Sequence, residues 1–63
     1  MISEVIRFQN NMVIVFDEKG EQMPEFQGCY EEVRAKILAY APKCAKFFHG
    51  IWHEINSVSR KEW

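Results

Sequence analysis

Four side chains in this sequence could bind a soft metal ion or serve as nucleophile and base: Cys29, Cys44, His49 and His53. His49 and His53 have an H-x3-H spacing compatible with zinc, and on one strand they would point to the same face. Cys29 and Cys44 lie fifteen positions apart, without the close C-x2–4-C pair of zinc fingers. A Cys–His nucleophile needs a thiol beside a base, preferably at a helix N-terminus where the dipole favours the thiolate. Cys29 falls near such a position. However, no third orienting residue or oxyanion loop is identifiable, and a chain of 63 residues offers little room for a substrate cleft. The plainer reading is a small buried or capping cysteine and two surface or half-buried histidines on an aromatic strand.

The carboxylates suggest no chemistry either. Glu31-Glu32 reads as a solvated helix start and Glu18 with Glu21 as a turn, whereas acid–base work needs a buried carboxyl with a raised pKa. Gly20, Gly28 and Gly50 stand alone, so no phosphate loop is present. The sequence is expected to be no enzyme and to carry no cofactor and no metal.

What positions these side chains is one small domain, residues 1–63. A chain of this size buries only about 60% of the surface its unfolded form exposes, so a disulfide, a metal or a partner usually reinforces the core. Yet 48% of the residues are hydrophobic and 14% aromatic. That is ample for a globular domain and points to surface reserved for a partner. The net charge is −1, and the eight Lys and Arg are scattered among nine acids, which argues against nucleic acid as a partner. No stretch approaches the ~20 apolar residues of a membrane span. Met1-Ile2-Ser3-Glu4 lacks the basic start and apolar run of a secretory signal. The expected location is cytoplasmic, with both cysteines reduced.

Met12-Val13-Ile14-Val15-Phe16 is an uninterrupted apolar run between two turn signals and reads as the central strand. Val5-Ile6-Arg7-Phe8-Gln9 precedes it, joined by a tight hairpin at Asn10-Asn11. Glu21-Gln22-Met23 returns as a short third strand after the Asp17–Gly20 turn, confined to an edge by Pro24. A two-residue loop at Asn10-Asn11 pairs Phe8 with Val13 and Ile6 with Val15 on one face. The other face then carries Val5, Arg7, Met12, Ile14, Phe16 and Met23.

A helix follows from Cys29 or Tyr30 to Ala41, with Tyr30, Val33, Ile37, Tyr40 and Ala41 as its apolar stripe, Glu32 set to pair with Lys36, and Pro42 as its stop. Residues 45–55 read as a last strand, bent at Gly50, and Asn56-Ser57-Val58 as loop. Ser59-Arg60-Lys61-Glu62 has the form of a capping box, with only Trp63 after it, either docked or loose. The expected fold is therefore α+β: a three-stranded antiparallel meander plus a returning fourth strand, packed on one helix in the order β-β-β-α-β.

Pro24-Glu25-Phe26-Gln27-Gly28-Cys29, after a hairpin and before an acidic helix start, resembles the Pro-Asp-Leu-Pro-Gly-Cys turn of HicB-type antitoxins. The resemblance covers six residues and implies a small sheet-and-helix domain that pairs with a toxin. The Gly-Asp-Thr that precedes the helix in that family is absent, as is its DNA-binding segment, and no residue roles carry over. With both sheet faces apolar and one helix to cover them, the expected function is a non-enzymatic interaction module that homodimerises through the second face. Its contact residues would be Val5, Met12, Ile14, Phe16 and Met23, with Phe48 and Trp52 of the fourth strand. The alternative is a small regulator, antitoxin-like or nucleic-acid-binding, acting through a partner.

Overall fold

In the computed structural model, which describes residues 1–63, strand β1 spans Ile2–Phe8 and turns back into β2, Met12–Asp17, through a three-residue loop. The Asn11 amide donates to the Phe8 carbonyl at 2.9 Å, and Asn11 adopts φ 66°, the only non-glycine residue with positive φ. Asparagine tolerates this left-handed backbone, and a three-residue hairpin loop ends in just such a residue. The odd loop length decides the parity. Val5 lies opposite Val15, Ile6 opposite Ile14 and Arg7 opposite Val13. The two-residue loop expected at Asn10-Asn11 is corrected, and a one-residue slip moves the side chains of one strand to the opposite face relative to the other.

A second irregularity follows. The register shifts between Ile2 and Glu4, and this bulge turns Ile2 into the core, where it is buried. At the far end of β2, Asp17 closes the next turn: its Oδ1 accepts from the amides of Lys19 (2.8 Å) and Glu21 (2.9 Å), and Gly20 takes φ 81°. The expected third strand shrinks here to one isolated bridge, Phe16 to Gln22. Pro24 then opens a 3-10 turn over Pro24–Phe26, because its fixed φ suits the first position of a helical turn. Strand β3 is displaced to Gly28–Cys29, where it pairs with Val13 and Met12.

Helix α1 runs Tyr30–Tyr40, as the stripe and Pro42 predict. Val33 and Ile37 are buried, but Tyr40 is 69% exposed and touches Phe26 at the rim instead. Lys36 donates to the Glu25 carbonyl at 2.7 Å and lies over the Phe26 ring, where a Glu32 pair was expected. The helix is the crossover that brings β4, Lys46–Ile51, alongside β1 in parallel. The sheet order is β3-β2-β1-β4-β5, so β1 and not β2 is central.

The long last strand is two strands. β4 turns at Trp52-His53 into β5, Glu54–Val58, pairing Ile51 with Glu54 and His49 with Asn56. Residues expected as loop are thus strand, and the sheet has five strands. Gly50 permits this hairpin: a Cβ there would lie 2.5 Å from the Glu54 carbonyl oxygen and 2.7 Å from Ile55 Cα.

The core lies between the sheet and α1, built from Val5, Val13, Val15 and Phe47 against Val33 and Ile37. Trp63 completes it. Ser59 Oγ accepts from the Glu62 amide at 3.2 Å, so the predicted capping box is half formed around a turn with no helix to follow. That turn seats the Trp63 ring 5.1 Å from Phe47 and 5.2 Å from Tyr30, leaving it 1% exposed. Arg60 secures the same turn by donating to the Pro42 carbonyl at 2.6 Å.

Candidate interaction surface

Side chains opposite one another in neighbouring strands share a face. Val5, Arg7, Val13, Val15, Phe47 and His49 therefore point to the helix side, while Glu4, Ile6, Phe8, Met12, Ile14, Phe16, Lys46 and Phe48 point away from it. The second group has no cover. Ile6, Ile14, Phe16 and Phe48 are half-buried by their neighbours alone, Met12 is 41% exposed, and none of them belongs to the core cluster. Ile55, opposite Gly50, extends the same face onto β5 and is 45% exposed.

The face is graded along the strands. Its middle row reads Ile14, Ile6, Phe48 across β2, β1 and β4. At one end Glu4 lies opposite Lys46, a pair that would make that end polar. At the other end Phe8 stacks with Trp52 of the β4–β5 turn, centroids 4.6 Å apart. This stacking buries Phe8 and leaves Trp52 77% exposed.

Of the seven residues proposed for contact, Met12, Ile14, Phe16 and Phe48 lie on this open face and Trp52 stands at its rim. Val5 and Met23 do not: Val5 is fully buried under α1, and Met23 packs against the core, its amide donating to the Val15 carbonyl. Val5 moves because of the loop parity at Asn11, and Met23 because Phe16 bridges Gln22 rather than Glu21, which sets Met23 opposite Val15. Sequence reasoning missed Ile6 and Phe8 because the expected parity put them on the face opposite the contact residues, and Ile55 because the Trp52-His53 turn hid β5.

The helix side ends in polar groups rather than a core. Arg7 lies over the Tyr30 ring, 3.6 Å from its centroid, and donates twice to Asn11 Oδ1, at 2.8 and 3.2 Å. Asn11 Nδ2 in turn donates to Glu31 at 3.1 Å, which ties the hairpin loop to the first turn of α1. Arg7 Nη1 and His49 Nε2 each lie 3.3 Å from the Trp63 main-chain oxygen. Beside them is a broad hollow of about 550 Å³ lined by Asn11, His49, Glu54 and Asn56 among others, without a thiol or hydroxyl among its lining residues.

The sequence's nucleophile and metal candidates are scattered. Cys29 is opposite Met12, on the open-face side of the sheet, whereas His49 is opposite Arg7, on the helix side. The sheet stands between them. Cys44 is exposed in the loop after α1, and His53 sits in the β4–β5 turn, off the strand that was expected to align it with His49. No three His, Cys, Asp or Glu side chains converge as a metal site would require.

No helix is long and apolar enough to cross a membrane. Comparisons of this chain with protein-family models, with curated proteins and with solved structures give no match. The six residues resembling the antitoxin turn form the 3-10 turn and β3. Their Gly28 answers a local need, since it takes φ 147° where α1 begins.

Proposed function

We propose that this chain is a non-enzymatic interaction module that homodimerises through the open face of its sheet. The observation that carries the proposal is the imbalance between the faces: one helix covers one side, and the other leaves Ile6, Met12, Ile14, Phe16 and Phe48 without an intramolecular partner. Contiguous apolar surface of this kind marks association sites, and aromatic and Met side chains are enriched at them. The size of the core supports the same reading. Only nine residues are buried, so a second copy on the open face would supply burial that a chain of this length lacks. A twofold arrangement could also set Glu4 of each copy near Lys46 of the other.

Light scattering after size exclusion, over a hundredfold range of concentration, tests it. At the low end of that range the wild-type chain is expected to run as a dimer, and Met12→Lys as a monomer with an unchanged circular dichroism spectrum, because Met12 lies outside the core. A wild-type monomer at every concentration would sink the proposal.

The regulator reading has one observation in its favour: Phe16 and Phe48 are half-exposed on the sheet, with Lys46 in the same face. Bases can stack on such aromatics. Salt-dependent retention on single-stranded DNA would support it, and no binding at low salt would dismiss it.

A further inference from the structure

The two edges of the sheet are finished differently. On the β2 side the free main-chain groups are taken up from within the molecule. The Val15 amide donates to Gln27 Oε1 at 3.2 Å, the Val15 carbonyl accepts from the Met23 amide at 2.9 Å, and the Asp17 amide donates to the Glu21 carbonyl at 2.9 Å. Strand β3 and the 3-10 turn close what remains of that edge.

On the opposite side β5 is bare. It is the outermost strand, and four of its five residues are exposed. Apart from its ladder with β4, no main-chain or side-chain hydrogen bond involves any residue from 54 to 58. An edge strand presents alternate N–H and C=O groups outward, and natural sheets blunt such edges with proline, bulges, inward charge or a covering element. β5 has no proline, its register with β4 runs without a shift, and its single charge, Glu54, stands at its first position.

We infer that β5 is a second docking edge and that its occupant is the β5 strand of another copy, paired antiparallel. The charge pattern selects this occupant and this direction. Residues 54–61 read Glu-Ile-Asn-Ser-Val-Ser-Arg-Lys, acidic at one end and basic at the other. Pairing centred on Asn56 places Glu54 opposite Val58 of the second copy, where β5 ends and leads into the turn that carries the exposed Lys61, while Arg60 stays on the Pro42 carbonyl. Parallel pairing would set Glu54 against Glu54. An antiparallel pair about a twofold axis normal to the sheet keeps the faces in common, so the two sheets become one of ten strands. Ile55 of both copies then falls on the open apolar face, which continues from one copy to the next. The edge contact uses none of the side chains that the face contact needs, and it stands whether or not the face dimerises.

The test is hydrogen exchange by NMR on the Met12→Lys chain, in which the face contact is disabled, at low and at high protein concentration. Alternate amides of residues 54–58, those that point away from β4, should gain protection as concentration rises and lose it with added salt. Glu54→Lys alone and Lys61→Glu alone should each weaken the pairing by about 1.5-fold to fivefold, the range for exposed ion pairs. The double variant Glu54→Lys/Lys61→Glu should restore it, because antiparallel pairing brings the exchanged charges together again. Protection that does not change with concentration would overturn the inference. So would pairing that both single variants weaken and the double variant fails to restore, or protection that appears only when an unrelated extended peptide is added.

Discussion

Trp63→Phe separates what the Trp63 ring contributes by size from what its indole N–H costs. The side chain is 1% exposed, and its Nε1 has no acceptor. Truncating a buried aromatic ring to alanine costs about 3–5 kcal/mol. At ~0.05–0.15 kcal/mol per residue, a domain of this length has a total stability of roughly 3–9 kcal/mol, so Trp63→Ala should leave it at the edge of unfolding. Phenylalanine is smaller by several tens of Å², worth about 1 kcal/mol at ~25 cal/mol per Å². It also removes a buried donor without a partner, a group that costs about 1–3 kcal/mol. These effects oppose each other, and Trp63→Phe should lie within about 1 kcal/mol of wild type. The contacts with Phe47 and Tyr30 are kept. Urea unfolding followed by far-ultraviolet circular dichroism is the assay, since loss of Trp63 would itself change the fluorescence. Protein concentration must be fixed, because an associating chain gains stability with concentration. With an m-value of about 1 kcal/mol/M, the Trp63→Phe midpoint should move by less than ~1 M and the Trp63→Ala midpoint by ~3 M or more. If the phenylalanine variant falls as far as the alanine variant, the indole N–H is contributing and the reasoning fails.

Three further outcomes follow from the backbone and the charges. Gly50→Ala places a methyl group within 2.7 Å of main-chain atoms of Glu54 and Ile55; it should cost about 1–3 kcal/mol in urea unfolding and raise exchange across β4 and β5. Asn11→Ala forces a left-handed backbone on a residue with a Cβ, so it should cost about 1–2 kcal/mol more than Asn11→Gly, which loses the same bonds to Arg7 and Glu31 without that strain. The Asp17 carboxyl is held below its ordinary value chiefly by the Glu21 amide, opposed by desolvation and aided by the Lys19 amide. A lowered native pKa adds stability that is present above the unfolded value of ~3.9 and lost as the pH falls through the native one, so Asp17→Ala should be the weaker protein at pH 7 and converge on wild type in acid.

The parts of this fold legible in the sequence are those that local chemistry decides. Pro42 and the Val33–Ile37 spacing bound α1, the apolar run at 12–16 is β2, and Asp17 with Gly20 marks its turn. The parts that were not legible depend on single backbone choices. Asn10-Asn11 suits both a two-residue and a three-residue loop, and only the φ of Asn11 settles which, yet that choice moves Val5 from the contact face to the core. Trp52-His53 has neither Gly nor Asn, so nothing local announces a reversal there. The steric need falls on Gly50, two residues earlier. The place of β1 at the centre rests on its pairing with β4, a contact between distant segments that no window of sequence contains. Of the candidate surface, the aromatic and Met content was legible and the assignment to faces was not.

That distant pairing also bears on how the chain reaches its native state. Val5 can meet Val15 as soon as the first hairpin closes, but its other neighbour, Phe47, lies about forty residues further along, where ordering the intervening chain is slow. Until β4 arrives, the β1–β2 hairpin shows Val5, Val13 and Val15 on one side and Ile6, Ile14 and Phe16 on the other, with both edges unpaired. Such a hairpin is the species in which unpaired strands meet the wrong neighbours. The conditions of refolding, low concentration above all, should therefore govern the yield of native protein more than the stability of the finished fold does.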